Sequence, residues 1–288
     1  MMDDRNQFVE LLLSFDQDFV DRLDSPDSSA SKSIFHFRND DVIQSILETG
    51  QVRVYDARNQ EDQDEIWLGI KCLLDRIPED LLTLCGLVRG ALWNHLGAYR
   101  QNYETEIRSS GRGLRLFILC ARTDNKPGAR LKYGDNYLEL RLNALFREHV
   151  PVDGENRALY FKGARVLYGQ GIELLSALFN DLVQFHAPSL RALSLSARYF
   201  SITHLLEFAA VWWKNAKYSE EHEYRIVVQQ VDDNVIRRDD SREFLCLKLQ
   251  PDYIGSVFVK SPQLRSGLAS QSLFPWLVDK VIGLDDRA

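Results

Sequence analysis

Apolar residues open the chain at helical spacing: Phe8, Leu11, Leu12, Phe15, Phe19 and Leu23 share one face, which predicts an amphipathic helix over 8–23. The polar, proline-containing stretch Asp24-Ser25-Pro26-Asp27-Ser28-Ser29 ends it as a loop or linker. Ile34-Phe35-His36-Phe37-Arg38 then reads as a short strand. Asp40 or Asp41 caps the helix carrying Ile43, Ile46 and Leu47, Gly50 stops it, and Val52-Arg53-Val54-Tyr55 alternates as a second strand.

From Ile66 to Tyr103 the pattern is helical and rich in leucine, with Pro78 opening one helix as a first-turn proline. Ser109-Ser110-Gly111-Arg112-Gly113 breaks it. The apolar run Leu114 to Ala121 predicts a central strand, Lys126-Pro127-Gly128 a turn, and Tyr137 to Leu142 an alternating strand. Leu159 to Tyr168 reads as a strand or hairpin. Glu173 to Phe185 and Leu190 to Trp213 predict two helices parted by Pro188. Glu223 to Val231, Glu243 to Leu249 and Gly255 to Val259 predict strands, Asp232-Asp233-Asn234 a turn, and Leu273 to Ile282 a closing helix. The expected class is α+β, with a mixed or antiparallel central sheet. Residues 1–30 form a helix and linker, and 31–288 one domain with a helical insert at about 66–104.

Composition narrows the function without naming it. At 288 residues with 45% hydrophobic side chains there is ample core material. A net charge of −7 argues against tight binding of duplex nucleic acid. The local run Arg108, Arg112, Arg115, Arg122, Lys126, Arg130 and Lys132 reads as a solvated loop face. Cys72, Cys85, Cys120 and Cys246 lie apart within apolar runs, as buried thiols in a reducing cytoplasm do. The apolar runs fall well short of a membrane span, and no secretory leader pattern is seen, so a cytoplasmic protein without membrane partners is expected.

Three polar groups are candidate chemistry. His36 shares neither face with Phe35 and Phe37, the position of a ligand-facing or a solvated residue. Glu221, Glu223 and Arg225 share a face by alternation, as a carboxylate site or as a salt-bridge network. The stretch from Arg53 to Glu65, with Tyr55 and Asn59, is an ordered loop or a ribose- or metal-binding one. No glycine-rich phosphate loop, nucleophile elbow or zinc spacing of histidines occurs.

Taken in order, several segments resemble a bacterial family, domain of unknown function 2971. They are Ile34 to Arg38; Ile46-Leu47-Glu48-Thr49-Gly50 with Val52-Arg53-Val54 and Asn59; Leu119 to Arg122 leading to Tyr133-Gly134; Glu221-His222-Glu223-Tyr224-Arg225; and Tyr253 to Val259. The chain departs from that pattern at Asn59-Gln60-Glu61-Asp62, which lacks a proline, and before Tyr133, which lacks a tryptophan. The arrangement is also similar to ADP-ribosyltransferases. This implies an NAD-consuming transferase or NAD glycohydrolase acting as a toxin, effector or phage-defence component on a protein or nucleic-acid acceptor. In that resemblance His36 grips the ribose and Glu223 is the catalytic carboxylate. Tyr55 or Tyr133 stacks on nicotinamide, and Arg38 or Arg225 meets the pyrophosphate, with Asn59 in the binding loop. The competing expectation is a non-catalytic binding or regulatory module that engages a protein partner.

Overall fold

The computed structural model describes residues 4–23, 33–57, 63–110, 115–126, 134–146, 160–230, 235–239, 242–262, 264–266 and 283–284. The chain is α+β, as its pattern predicts, and it divides into two compact units.

The first unit is helical. It contains α1 (Asp4–Leu23), α3 (Gln63–Leu74), α4 (Glu79–Leu84), α5 (Arg89–Ser110), α7 (Gly171–Ala192) and α8 (Leu195–Ala210). The leucine-rich stretch that reads as an insert thus belongs to the same unit as the first helix and the two later ones. A two-stranded parallel sheet, β6 (Leu167–Tyr168) with β7 (Trp213–Lys214), completes it.

From Ser201 to Ala210 every residue of α8 is buried, so its side chains are mostly apolar all round. Phe15 and Phe19 of α1, Phe179 of α7 and Phe208 of α8 meet edge-on or stacked, with ring centroids 5.7–6.0 Å apart. Trp212 and Trp213 are both buried, and Trp213 Nε1 donates to the Gly169 carbonyl at 2.9 Å.

Two local expectations change here. Helix α7 runs through Pro188 to Ala192, and the break comes at Ser194, whose hydroxyl caps α8 by accepting from the Ala197 amide. Proline forfeits one backbone bond, and packing of the apolar face around Leu182, Val183, Ala187 and Leu190 outweighs that loss. Pro78 sits just before α4 rather than in its first turn.

The second unit carries the large sheet. In chain order it has β1 (Ser33–Arg38), α2 (Asp40–Thr49), β2 (Gln51–Asp56), β3 (Arg115–Arg122), β4 (Asn136–Arg141) and the single turn α6 (Leu142–Leu145). The strands β5 (Tyr160–Arg165), β8 (Glu223–Gln230), β9 (Arg237–Asp239), β10 (Arg242–Lys248), β11 (Ile254–Phe258) and β12 (Gly283–Leu284) follow. The main path runs β12-β11-β4-β1-β3-β2-β10-β9, and β8 joins β3 to β5. The pairs β1–β3, β1–β4, β2–β3, β2–β10, β4–β11, β5–β8 and β9–β10 are antiparallel, and β11 with β12 is parallel.

Strand β3 therefore serves three neighbours. It meets β1 at Phe35↔Arg122 and β2 at Tyr55↔Ile118 and Asp56↔Phe117. One face of this sheet packs on α2, with Ile34, Val54, Phe117, Leu119, Leu138, Tyr224, Ile226 and Leu245 among the buried residues around Ile43 and Leu47. Asn39, rather than either aspartate after it, caps α2 by accepting from the Val42 amide, and Gly50 ends it with φ 65°.

The strands β9 and β12 have no counterpart in the sequence reading, because each is too short to show alternation. Of the break expected at 109–113, Ser109 and Ser110 instead end α5, and 111–113 lie outside the described residues, as do 127–128 of the expected turn, the turn at 232–234 and the helix at 273–282.

Replacing Phe208 with Ala empties a fully buried site and is expected to cost about 3–5 kcal/mol. Phe185→Ala, at a side chain 68% exposed, is expected to stay within about 0.5 kcal/mol. Urea unfolding of the two variants beside wild type checks this, and equal destabilisation would contradict the packing described.

Candidate functional site on the second unit

Strand β8 begins under tension. The short 3-10 turn Ala216–Glu221 feeds His222, the one non-glycine with positive φ among the described residues (46°), and Glu223 follows as the first strand residue. Such a backbone costs an L-residue of this kind about 1–2 kcal/mol. It is held from β3: the Thr123 amide donates to the His222 carbonyl at 3.0 Å, and the Thr123 hydroxyl donates to the same oxygen at 3.3 Å. The Arg122 guanidinium donates to the Glu220 carbonyl at 3.3 Å and to Asp124 Oδ1 at 2.9 Å, so both sides of His222 are clamped.

Glu223 and Arg225 lie two apart and share a face, as alternation predicts. Arg225 Nε donates to Glu223 Oε1 at 2.7 Å, with the two side chains only 6% and 5% exposed. Tyr224, Ile226 and Val228 point into the main apolar core, so this ionised pair occupies the opposite face of the sheet. Arg122 is on that opposite face too, since Ala121 is in the core, and Phe35 stands across from Arg122. Phe35 is half-buried and meets Tyr137 edge-on at 5.3 Å.

His36 is elsewhere. It is directly across from Leu138 and alternates with Ile34, both in the core cluster, so its ring enters the core face. At 1% exposure it is a buried residue rather than a solvated one. Its Nδ1 lies 3.0 Å from the Cys120 carbonyl. A carbonyl only accepts, so Nδ1 carries the proton, and the neutral ring leaves Nε2 as an acceptor. Burial, and secondarily the nearby Arg38 charge, push the imidazole well below its ordinary range, while the Cys120 bond acts in the other direction. Cys120 falls between the residues where β1 and β2 join β3, so His36 binds the carbonyl at the point where the sheet divides.

The other sequence candidates scatter. Arg38 follows His36 on the core-side register, is half-buried, and donates to the Phe37 carbonyl at 3.1 Å. Tyr55 lies on the face opposite the core, with the Arg242 guanidinium 5.7 Å from its ring and Phe244 at 5.9 Å. Asn59 and Tyr133 lie outside the described residues. Gly134, next to Tyr133, is described: its φ is 114°, and a Cβ there would come within 2.5 Å of the Arg38 backbone. The buried Asn136 ties the same corner, donating to Asp40 Oδ1 at 2.6 Å and the Arg38 carbonyl at 3.3 Å while accepting from the Lys260 amide at 2.8 Å.

Arg115 and Arg122 are buried strand residues rather than part of a solvated loop. The alternation of the run from 115 to 122 carried that signal, which its loop-like basic neighbours obscured. No group of three His, Cys, Asp or Glu side chains among the described residues is placed to hold a metal ion.

Comparison with known proteins adds no relative. No family model, curated protein or solved structure matches the chain. The geometry therefore stands alone: a buried carboxylate–guanidinium pair on one face of a central strand, behind a strained residue, with an aromatic ring two strands away.

His36 makes stability depend on pH with a definite sign. The unfolded histidine takes a proton below about pH 6.5, and the folded one resists it, so its contribution is constant above that pH and is lost as pH falls. The loss approaches about 1.4 kcal/mol per pH unit until the folded value is reached. His36→Gln is expected to flatten this part of the acid-side decline in urea unfolding between pH 7.5 and 5.5. An unchanged slope would show that His36 is not buried neutral.

Proposed function

We propose that the chain is an NAD-consuming, ADP-ribosyltransferase-like enzyme whose chemistry centres on Glu223. The observation that carries this reading is the Glu223–Arg225 pair, buried at 2.7 Å on a central strand. A buried ion pair is a poor source of stability, because desolvating both charges offsets their attraction. A fixed, ionised carboxylate is, however, what cleavage of a nicotinamide ribosyl bond requires. The bond breaks with its electron pair leaving on nicotinamide, and a carboxylate accepting from the ribose 2′-hydroxyl stabilises the oxocarbenium-like sugar until an acceptor or water attacks.

In this reading Arg225 orients Glu223, His222 and Arg122 aim the start of the strand, and Phe35 offers the aromatic surface for nicotinamide. Tyr55 suits that task less well, since its ring already carries Arg242. His36 and Arg38, on the other face, act on the sheet rather than on the ribose held at Glu223. The reaction class fits a toxin, effector or phage-defence component, and the acceptor is a protein or a nucleic acid.

The test is incubation of the purified chain with labelled NAD and host extract. Wild type is expected to release nicotinamide or transfer label, and Glu223→Gln to lower the rate by about 10²-fold or more. Since breaking a buried pair costs about 3–5 kcal/mol, each variant is melted first. Phe35→Ala, which leaves the pair intact, is expected to raise KM more than it lowers kcat. A folded wild type that neither binds nor consumes NAD sinks the reading.

One observation favours a second reading, a partner-binding module on the helical unit. Leu68, Leu84 and Val88 of the leucine-rich stretch, with Leu174, Phe185 and Leu195, are large apolar side chains left exposed. This reading expects a complex in host extract that survives Glu223→Gln and is lost in Val88→Asp or Phe185→Asp. A chain recovered alone under the same conditions counts against it.

A further inference from the structure

The face that carries Glu223 and Arg225 holds a further carboxylate. Glu139 of β4 alternates with Leu138 and Leu140, both in the apolar core, so its side chain is on the opposite face. It stands directly across from Phe35 of β1, and Phe35 in turn stands across from Arg122 of β3. Directly opposed residues of an antiparallel pair hold their Cβ atoms about 4.5–5.5 Å apart. Glu139, Phe35 and Arg122 therefore form one row over three adjacent strands, and β8, which carries Glu223, pairs with β3.

Glu139 is built into place. Ser256 Oγ of β11 donates to its Oε2 at 2.6 Å. Gly255 makes room for the carboxyl group, since a Cβ there would come within 2.7 Å of Glu139 Cδ and 2.9 Å of its Oε1. A carboxylate has about four acceptor sites and no donor, and Ser256 takes one of them. Glu139 and Phe35 are both half-buried, whereas Phe37, Tyr137 and Phe258, the rest of the aromatic cluster on this face, are buried.

We infer that Glu139 accepts from the carboxamide N–H of nicotinamide and so selects the amide over the acid form of the dinucleotide. This rests on the reading of Glu223 as the carboxylate at the nicotinamide ribose and of Phe35 as the surface for the ring. The ribosyl nitrogen and the carboxamide-bearing carbon are meta to each other. A ring on Phe35 with its ribose turned toward β3 and β8 therefore carries its carboxamide on the side of β4, where Glu139 stands. The amide donates to the carboxylate in a charge-assisted bond, about twice as strong as a neutral one. A nicotinic acid ring in the same place sets two carboxylates together with no proton between them, and is disfavoured about 10²-fold or more. An adenine ring has an amino donor too, but it lies at the far end of the dinucleotide from the bond at Glu223.

The experiment measures turnover of NAD and of nicotinic acid adenine dinucleotide by the full chain at neutral pH. Wild type is expected to favour NAD in kcat/KM by about 10²-fold or more. Glu139→Gln keeps the shape beside Gly255 and adds an N–H that the acid form accepts. It is expected to bring the preference within about tenfold, through KM more than kcat. Ser256→Ala removes the bond that orients Glu139, is expected to lower the preference as well, and serves if Glu139→Gln fails to fold. A role confined to bonding Ser256 would slow both dinucleotides alike and leave their ratio unchanged. Magnetic resonance of nicotinamide, nicotinate and adenine binding to the full chain separates this inference from the enzyme reading. Nicotinamide bound in preference to the other two, with the preference over nicotinate lost in Glu139→Gln, supports the inference even without NAD turnover. Turnover of NAD with a ratio that Glu139→Gln leaves unchanged, or equal use of the two dinucleotides by wild type, overturns the inference and leaves the enzyme reading standing. Nicotinamide bound no better than nicotinate or adenine, or neither bound nor released from NAD, overturns it too.

Discussion

The sheet unit depends on how one strand, β3, serves three partners. Strands β1 and β2 reach it at different heights, at Arg122 and at Ile118 with Phe117, and β8 pairs with it as well. Where two strands diverge, backbone groups between them need another partner, because a buried carbonyl left unpaired costs about 1–3 kcal/mol. His36 contributes such a partner at Cys120, its Nδ1 donating to the carbonyl at 3.0 Å. Burial, helped by the Arg38 charge, keeps the ring neutral against the opposing pull of this bond. The residue is polar because the backbone it serves is polar, and it sits in an apolar core because the division of the sheet lies there.

That constraint also separates the two groups of sequence candidates. Alternation along β1 commits His36 and Arg38 to one face. Alternation along β8, with Tyr224, Ile226 and Val228 packed inward, commits Glu223 and Arg225 to the other. Moving either set across would need a one-residue slip of a strand, which would expose its apolar set. Several buried Val, Leu and Ile side chains, at about 1.5–3 kcal/mol each, oppose such a slip. The carboxylate chemistry proposed at Glu223 must therefore draw on its own face, where Arg122, Arg225 and Phe35 are found.

Much of this was legible in the sequence, and the failures have physical causes. The strands holding His36, Tyr55 and Glu223 were readable from period-2 alternation, and the shared face of Glu223 and Arg225 follows from it directly. Face relations between strands distant in sequence are not readable that way, because they depend on which strands pair. Arg122 was masked by basic neighbours that suggested a solvated loop, although it sits at the end of an apolar run. The strain at His222 has no composition signal, since histidine is not a residue that announces a left-handed backbone. Pro188 misled because local propensity is weaker than the packing of a 22-residue helix.

The two polar constellations of the sheet differ in what holds them, and the difference bears on what each can do. Glu223 and Arg225 are locked in a nearly dry ion pair, so a ligand that reaches them must replace or share those bonds and meets an orienting, ionised group. Arg53, by contrast, is half in solvent, with its guanidinium 4.6 Å from the Phe244 ring and an ion pair to Asp239 at 2.8 Å. The first arrangement suits chemistry on one bound molecule, where a pre-set charge acts on a developing one. The second, an exposed ion pair, exchanges its partners with water at little cost.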